Sequence, residues 1–252
     1  MRYAVLSDIG KKRTLNEDSA AVFTLPTGLL LAVIADGMGG HQGGDFASST
    51  ALHLMEEEFR KLETLTFSTQ DEWSEWLKET VLYVNRALFN YANDHKELEG
   101  MGTTLEAVLI HDQFCYGTHI GDSRVYLVNQ DDIKQLTTDH SYVKVLIDSG
   151  EITEQEAEVH PQRNWIIKAL GSERSVEPDC YSFALEKSSY LLICSDGLSN
   201  KVDDATIQKI VLSHLSIEEK VSALVEKANE MGGEDNISVV LLTQPNSEVD
   251  TI

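Results

Sequence analysis

Four apolar runs in this chain each carry an aspartate at one end. Leu29 to Ala35 leads into Asp36-Gly37, Phe114 to Ile120 into Gly121-Asp122, and Tyr190 to Cys194 into Ser195-Asp196-Gly197. The fourth is reversed: Asp235-Asn236 leads into Ile237 to Leu242. Each acid stands where a strand meets a turn. If the strands share one sandwich, the acids converge at one end of it. Converging carboxylates repel unless something positive sits between them, and hard divalent cations bound by oxygen ligands are the usual answer. The chain therefore reads as a metal-dependent enzyme.

A chain of 252 residues can bury most of its apolar surface without disulfide or metal staples, so any metal is functional rather than structural. The net charge is −22, from 20 basic and 42 acidic residues. No basic face is available for a nucleic-acid backbone, and none is expected as a partner. Cys115, Cys180 and Cys194 are odd in number, far apart and set in apolar surroundings. They read as buried free thiols of a reducing cytosol. There is no Cys/His cluster of zinc type. The N-terminus lacks the apolar core of a signal peptide, and no apolar run reaches the ~20 residues of a membrane span. The expectation is a cytoplasmic monomer without membrane insertion.

Short strands are expected at about 1–9 and 19–25, and a buried strand at 28–35. A Gly-rich turn follows, then a helix with Ala51, Leu52, Met55, Phe59 and Leu62 on its apolar face. A second helix over about 71–95 places Trp73, Trp76, Leu77, Val81, Val84, Leu88 and Tyr91 on one stripe to pack on a sheet. Strands resume at 102–111, 113–120, 123–129 and 132–137, with a hairpin turn at Asn129-Gln130-Asp131-Asp132. A helical insert follows. One short helix ends at Gly150, and Thr153 with Glu156 forms the capping box of another. Further strands are expected near 164–170, 179–185, 190–195 and 237–243, with helices at 203–213 and 217–231. The second of these opens on a capping box at Ser216 and Glu219. Two blocks of strands, with helices between and after them, predict an α+β layered sandwich in one domain over 1–244, with a polar tail at 245–252.

One Asp-Gly after a strand usually closes a turn, but four strand-end acids in one chain, and the Arg13-Thr14-Leu15-Asn16-Glu17-Asp18 loop beside them, argue for more. Taken in order, the motifs resemble those of the metal-dependent serine/threonine protein phosphatases of the PPM, or type 2C, family. Ser7-Asp8-Ile9-Gly10 with Arg13, Asn16, Glu17 and Asp18 is similar to the family's first motif. Asp36-Gly37-Met38-Gly39-Gly40-His41 is similar to the bacterial form of the second. Met101-Gly102-Thr103-Thr104, Gly121-Asp122-Ser123-Arg124, Ala169-Leu170-Gly171, Cys194-Ser195-Asp196-Gly197-Leu198 and Gly233-Glu234-Asp235-Asn236 follow in the family's order. The likeness covers nearly the whole chain. It extends to the stand-alone phosphatases of Gram-positive bacteria that oppose membrane kinases with PASTA repeats.

The resemblance implies a four-layer α/β/β/α sandwich of two antiparallel sheets, with a helical flap at about 141–168 beside the site. It implies that Asp36 bridges two Mn²⁺ or Mg²⁺ ions. The Gly37 carbonyl and Glu17 would complete one shell, and Asp196 and Asp235 would hold the other ion. Asp122, with Asp196, would hold a weaker third. Asp18 would orient a water or hydroxide bridging the ions, and Arg13 would hold the substrate phosphate. Substrates would be phosphoserine and phosphothreonine proteins, including a PASTA-type kinase and its targets. His41 would be the general acid, although this chain departs from the many eukaryotic members that have histidine directly after the Asp-Gly, where it has Met38. Arg163, in the flap, reads as surface charge.

The chemistry suits such a site. Hydrolysis of a phosphate monoester demands up to about 10²¹-fold acceleration, and one general acid or base supplies only about 10²–10⁴. Metals must contribute much of the rest. Arginine matches phosphate in a two-pronged contact that lysine cannot make. Two rival readings explain less. A nuclease does not suit the acidic charge, and a catalytically dead phosphatase-like binding domain should have lost ligand positions that are all present here.

Overall fold

The structure is a computed structural model that describes residues 1–39, 43–65, 67 and 69–244. Its first half runs β1 (Arg2–Asp8), β2 (Asp18–Thr24), β3 (Leu30–Met38), α1 (Gly43–Lys61), α2 (Gln70–Asp94), β4 (Gly102–Thr103), β5 (Leu105–His111) and β6 (Phe114–Ile120). Then come β7 (Arg124–Val128), β8 (Ile133–Gln135), α3 (Tyr142–Asp148), α4 (Glu154–Glu158), β9 (Asp179–Ala184) and β10 (Tyr190–Cys194). The chain closes with α5 (Asp196–Ser199), α6 (Asp204–Val211), α7 (Ile217–Glu230) and β11 (Ile237–Thr243).

Strand order is β1-β11-β10-β7-β8 in one sheet and β2-β3-β5-β6-β9 in the other, with β4 also paired to β3. Every pairing is antiparallel. The central strands are apolar on both faces because each face meets a different layer. Along β3, Leu31, Val33 and Ala35 pack against Met55, Phe59, Leu77 and Val81 of α1 and α2. The alternate residues Leu30, Ala32 and Ile34 meet Leu191, Ile193, Val240 and Leu242 of the other sheet. On that sheet's outer face, Leu192, Val239 and Leu241 pack with Leu198, Ile207, Val221 and Leu224 of α5, α6 and α7. A period of two along each strand thus builds four layers, α/β/β/α.

Local signals account for several boundaries. Capping boxes form at Thr153 with Glu156 and at Ser216 with Glu219, where the sequence places them. A further one at Thr69 and Glu72 starts α2. Three expectations need correction. No strand forms over 164–170. That stretch contributes only isolated bridges, Ser141 to Ile166 and Thr103 to Leu170, because the flap carries it off the sheet and leaves Trp165 and Ile167 exposed. Asp196-Gly197 is not a turn but the first turn of α5, with Ser195 at the N-cap position. Cys115 and Cys194 are buried free thiols, but Cys180 is exposed, because it lies on the edge strand β9. Among the described residues no helix is long and apolar enough to cross a membrane. The tail expected at 245–252 lies outside them.

Candidate active site

Both sheets deliver acids to the same end of the sandwich. Asp18, the first residue of β2, pairs in register with Asp36 near the end of β3. The backbone at Asp36 is held by the Gly102-Thr103-Thr104 segment. Its amide donates to Thr104 Oγ1 at 2.9 Å, and its carbonyl accepts from the Thr103 hydroxyl at 2.9 Å and the Thr104 amide at 2.8 Å. From the other sheet, Asp196 follows β10 across the single residue Ser195, and Asp235 stands just before β11.

A buried hydroxyl ties the two sheets together at this point. Ser195 Oγ donates to Asp18 Oδ2 at 2.7 Å and accepts the Ser238 amide at 2.9 Å. Asn236, also buried, stitches the loop between β1 and β2 to the start of β11. Its Nδ2 donates to the carbonyls of Ile9 at 2.9 Å and Leu15 at 3.0 Å, and its Oδ1 accepts the Glu17 amide at 2.8 Å. That loop carries Arg13 and Glu17. Arg13 Nη2 donates to Asp235 Oδ2 at 2.9 Å, and Nη1 lies 3.8 Å from Glu17 Oε2.

Gly37 permits a close backbone approach in the site. Its amide donates to the Glu17 carbonyl at 3.1 Å, and a Cβ at this position would overlap the Gly44 carbonyl. Glu17 Oε1 lies against Gly44 at the start of α1. The β3–α1 junction thereby brings Glu17, Gly37 and Asp36 together.

The electrostatics are those of crowded carboxylates. Asp36 is held well above the usual carboxylate range by burial, then by Asp18, Asp196, Asp122 and Asp235. Asp196 is raised in the same way by burial, Asp122, Asp235 and Asp18. Burial lifts Asp18 to about 6 against the opposing hydrogen bonds of Ser195 and Ser238. Burial, with Asp139, lifts Asp122 to about 6. Glu17 is also raised by burial, although Arg13 opposes it.

Three of these side chains bury an oxygen that no donor satisfies: Glu17 Oε1, Asp18 Oδ1 and Asp122 Oδ1. A buried acceptor without a partner is costly, and here three face one crowded region. The donors are all oxygen, the set that suits a hard divalent cation. Among the described residues no group of three or more Asp, Glu, His or Cys side chains is placed so that it could hold a metal ion as it stands. The fit therefore rests on the orphaned oxygens and on the convergence of the acids.

Of the residues singled out in the sequence, Arg13, Glu17, Asp18, Asp36, Gly37, Asp122, Asp196 and Asp235 come together here. His41 lies outside the described residues. Arg163 is exposed on the flap. Sequence reasoning assigned no role to Ser195, Asn236 or Thr104. Their signal was there: each is a small polar residue at the end of an otherwise apolar run.

The chain is thus an α/β/β/α sandwich with an acid cluster between its strand ends and an arginine at the rim. A model described as protein phosphatase 2C matches residues 10–235, and the chain belongs to this family. The "Serine/threonine phosphatase stp" of Listeria innocua is 40% identical over 236 residues, covering 94% of this chain and 93% of that protein. "Protein phosphatase PhpP" of Streptococcus pneumoniae is 36% identical over 250 residues, covering 99% of this chain and all of that one. Among solved structures, the phosphatase Stp1 from Staphylococcus aureus superposes with a TM-score of 0.91 at 34% identity, covering 97% of this chain and 95% of its own. The catalytic domain of PstP in complex with two manganese ions superposes with a TM-score of 0.83 at 34% identity, covering 95% of this chain and 96% of its own. The protein is a serine/threonine phosphatase that acts on phosphoproteins.

Proposed function

We propose that this phosphatase hydrolyses phosphoserine and phosphothreonine with two Mn²⁺ or Mg²⁺ ions at its acid cluster, and that a weaker third ion binds beside them. The observation that carries the reading is the convergence of Asp36, Asp196 and Asp122: Asp196 and Asp122 both raise Asp36, and Asp122 raises Asp196. The manganese-bound relative supports it. Asp36 would bridge the core ions. Glu17 and the Gly37 carbonyl would hold one of them, and Asp196 and Asp235 the other. Asp122 with Asp196 would hold the third. When bound, the cations lower the pKa of water and offset the negative charge of phosphate.

The chain's own groups supply the rest. Arg13 presents a planar fork to two phosphate oxygens. Asp235 aims that fork by holding Nη2. Asp18, fixed on one oxygen by Ser195, keeps the other free to orient the attacking water and take its proton. The three free cysteines suit a reducing, cytoplasmic setting. There the enzyme would reverse a serine/threonine kinase of the PASTA type and dephosphorylate that kinase's targets.

The test is turnover of a phosphothreonine peptide. Activity should require added Mn²⁺ and vanish in excess EDTA; full activity in EDTA overturns the reading. Phosphoproteomes of a strain lacking the protein and of one carrying Asp36→Asn should coincide. Restoration of the wild-type pattern by the Asn copy would point to binding rather than hydrolysis.

A further inference from the structure

One histidine outside the acid cluster joins the flap to it. His140 precedes α3, and its main chain and its ring both grip Gly121, the neighbour of Asp122. The His140 amide donates to the Gly121 carbonyl at 2.7 Å, and the Gly121 amide donates to His140 Nδ1 at 3.1 Å. The His140 carbonyl accepts the Ile167 amide at 2.8 Å, and the next residue but one closes the flap root, Tyr142 N donating to Trp165 O at 2.8 Å. A single residue therefore holds both the backbone before Asp122 and the two ends of the flap.

The ring's protonation follows from its partners. Because Gly121 donates to Nδ1, that nitrogen carries the lone pair and the proton sits on Nε2. Nε2 faces Asp179 Oδ2 at 3.3 Å, and Lys168 Nζ lies 3.3 Å from it. Burial, with the nearby His119 and Lys168, lowers His140 to about 4, so Nδ1 keeps its lone pair at neutral pH.

The ring is also fixed from below. His119 stacks on it with centroids 4.5 Å apart. His119 cannot turn, because Nδ1 is bound to Glu106 and Nε2 donates to the Thr138 carbonyl at 2.8 Å. Both members of the Glu106–His119 pair are fully buried. Gly121 itself has φ +109°, and a Cβ there would press on the Thr104 side chain that holds the Asp36 amide. Movement of His140 would thus be felt by Gly121, by Asp122 beside it and, through Thr104, by Asp36.

We propose that His140 is a positioning residue that couples the flap to Asp122, through its Nδ1 bond to Gly121 on one side and its bonds to the flap root on the other. The proposal rests on the metal reading of Asp122 for its consequence, but not for its geometry.

Two variants separate the two halves of the contact. In His140→Asn, Oδ1 replaces Nδ1 as acceptor for Gly121 and the Asp179 contact is lost. In His140→Gln the longer amide reaches toward Asp179 and the Gly121 acceptor is lost. Amide hydrogen exchange is read at 121–123 and 141–147, and Mn²⁺ binding by calorimetry. Expected for Gln is faster exchange in both segments and a loss of about tenfold or more in the weakest Mn²⁺ step, with the tighter steps unchanged. Asn should restore protection at 121–123 and the Mn²⁺ affinity. If Gln retains wild-type exchange at 121–123, or Asn is as defective as Gln, the coupling is wrong. Failure of the phosphatase reading would show separately, as wild-type protein without Mn²⁺-dependent turnover.

Discussion

Arg13 and Asp235 form an ion pair at 2.9 Å across the rim of the acid cluster, although they lie 222 residues apart in sequence. The pair links the residue proposed to hold phosphate to one proposed to hold metal. Asp235 uses one oxygen, Oδ2, for this contact, and its Oδ1 accepts the Asn236 amide at 2.9 Å. The guanidinium is therefore oriented before substrate arrives, which lowers the ordering cost of binding.

Arg13→Lys keeps the positive charge and loses the planar fork. A charge-assisted hydrogen bond contributes about 1.5–3 kcal/mol, so KM for p-nitrophenyl phosphate should rise by about tenfold or more. Mn²⁺ affinity measured by calorimetry should change little. An unchanged KM would remove Arg13 from the substrate site.

Asp36→Asn should abolish most activity, because a neutral amide binds a cation poorly. It should also stabilise the metal-free protein, since it removes the charge whose ionisation is opposed by burial and by four neighbouring acids. A gain of about 1 kcal/mol would raise Tm by about 2–4 °C in a chain of this size. Thermal melts in EDTA check this, and a lower Tm for the variant would contradict it.

The pH dependence of the metal-free protein has a definite sign. Asp18 and Asp122 titrate near 6 in the folded state, against about 3.9 when unfolded. Glu106, lifted by burial, titrates near 7. A carboxyl raised on folding binds more protons in the native state, so stability falls as pH rises through its folded pKa. His119, raised to about 9 by Glu106 against its own burial, acts in the same direction. His140, lowered to about 4, opposes them as pH falls below the unfolded histidine value. Four groups outweigh one, and denaturation in EDTA should show greater stability at pH 6 than at pH 8. Because ligands must be deprotonated to bind, added Mn²⁺ should stabilise more at pH 8. The reverse order in EDTA would contradict the crowding of these acids.

Gly37→Ala should damage the site without touching a charge. The new Cβ would overlap the Gly44 carbonyl and crowd the Glu17 carbonyl. Overpacking of this kind costs about 1–3 kcal/mol. Urea denaturation should show that loss, and Mn²⁺ binding should weaken as β3 and α1 separate. A variant with wild-type stability would mean that the junction is looser than the structure has it.

Much of this architecture was legible in the chain. The unbroken apolar runs Leu30 to Ala35 and Val239 to Leu242 encode strands buried on both faces, because one face must meet helices and the other a second sheet. Capping boxes at Thr153 and Ser216 mark helix starts through purely local hydrogen bonds. The acids announced themselves as charges at the ends of apolar runs, where a turn alone would not require them so often. The 164–170 segment misled because its apolar residues resemble a strand locally, while the absence of a continuous neighbour is a tertiary fact.

What the sequence determined by itself was the inventory: which runs are strands, which acids stand at their ends, and that oxygen ligands rather than thiols were on offer. Only the folded chain decided how these act on one another. Burial and mutual repulsion, which raise Asp36 and Asp196, exist only once two sheets bring their strand ends together. The Ser195 hydroxyl shared between Asp18 and Ser238, the grip of Asn236 on the Arg13 loop, and the hold of His140 on Gly121 join residues from 19 to 227 positions apart. Hydrogen bonds depend on distances of about 3 Å and on direction, and chain order fixes neither until packing has set the layers.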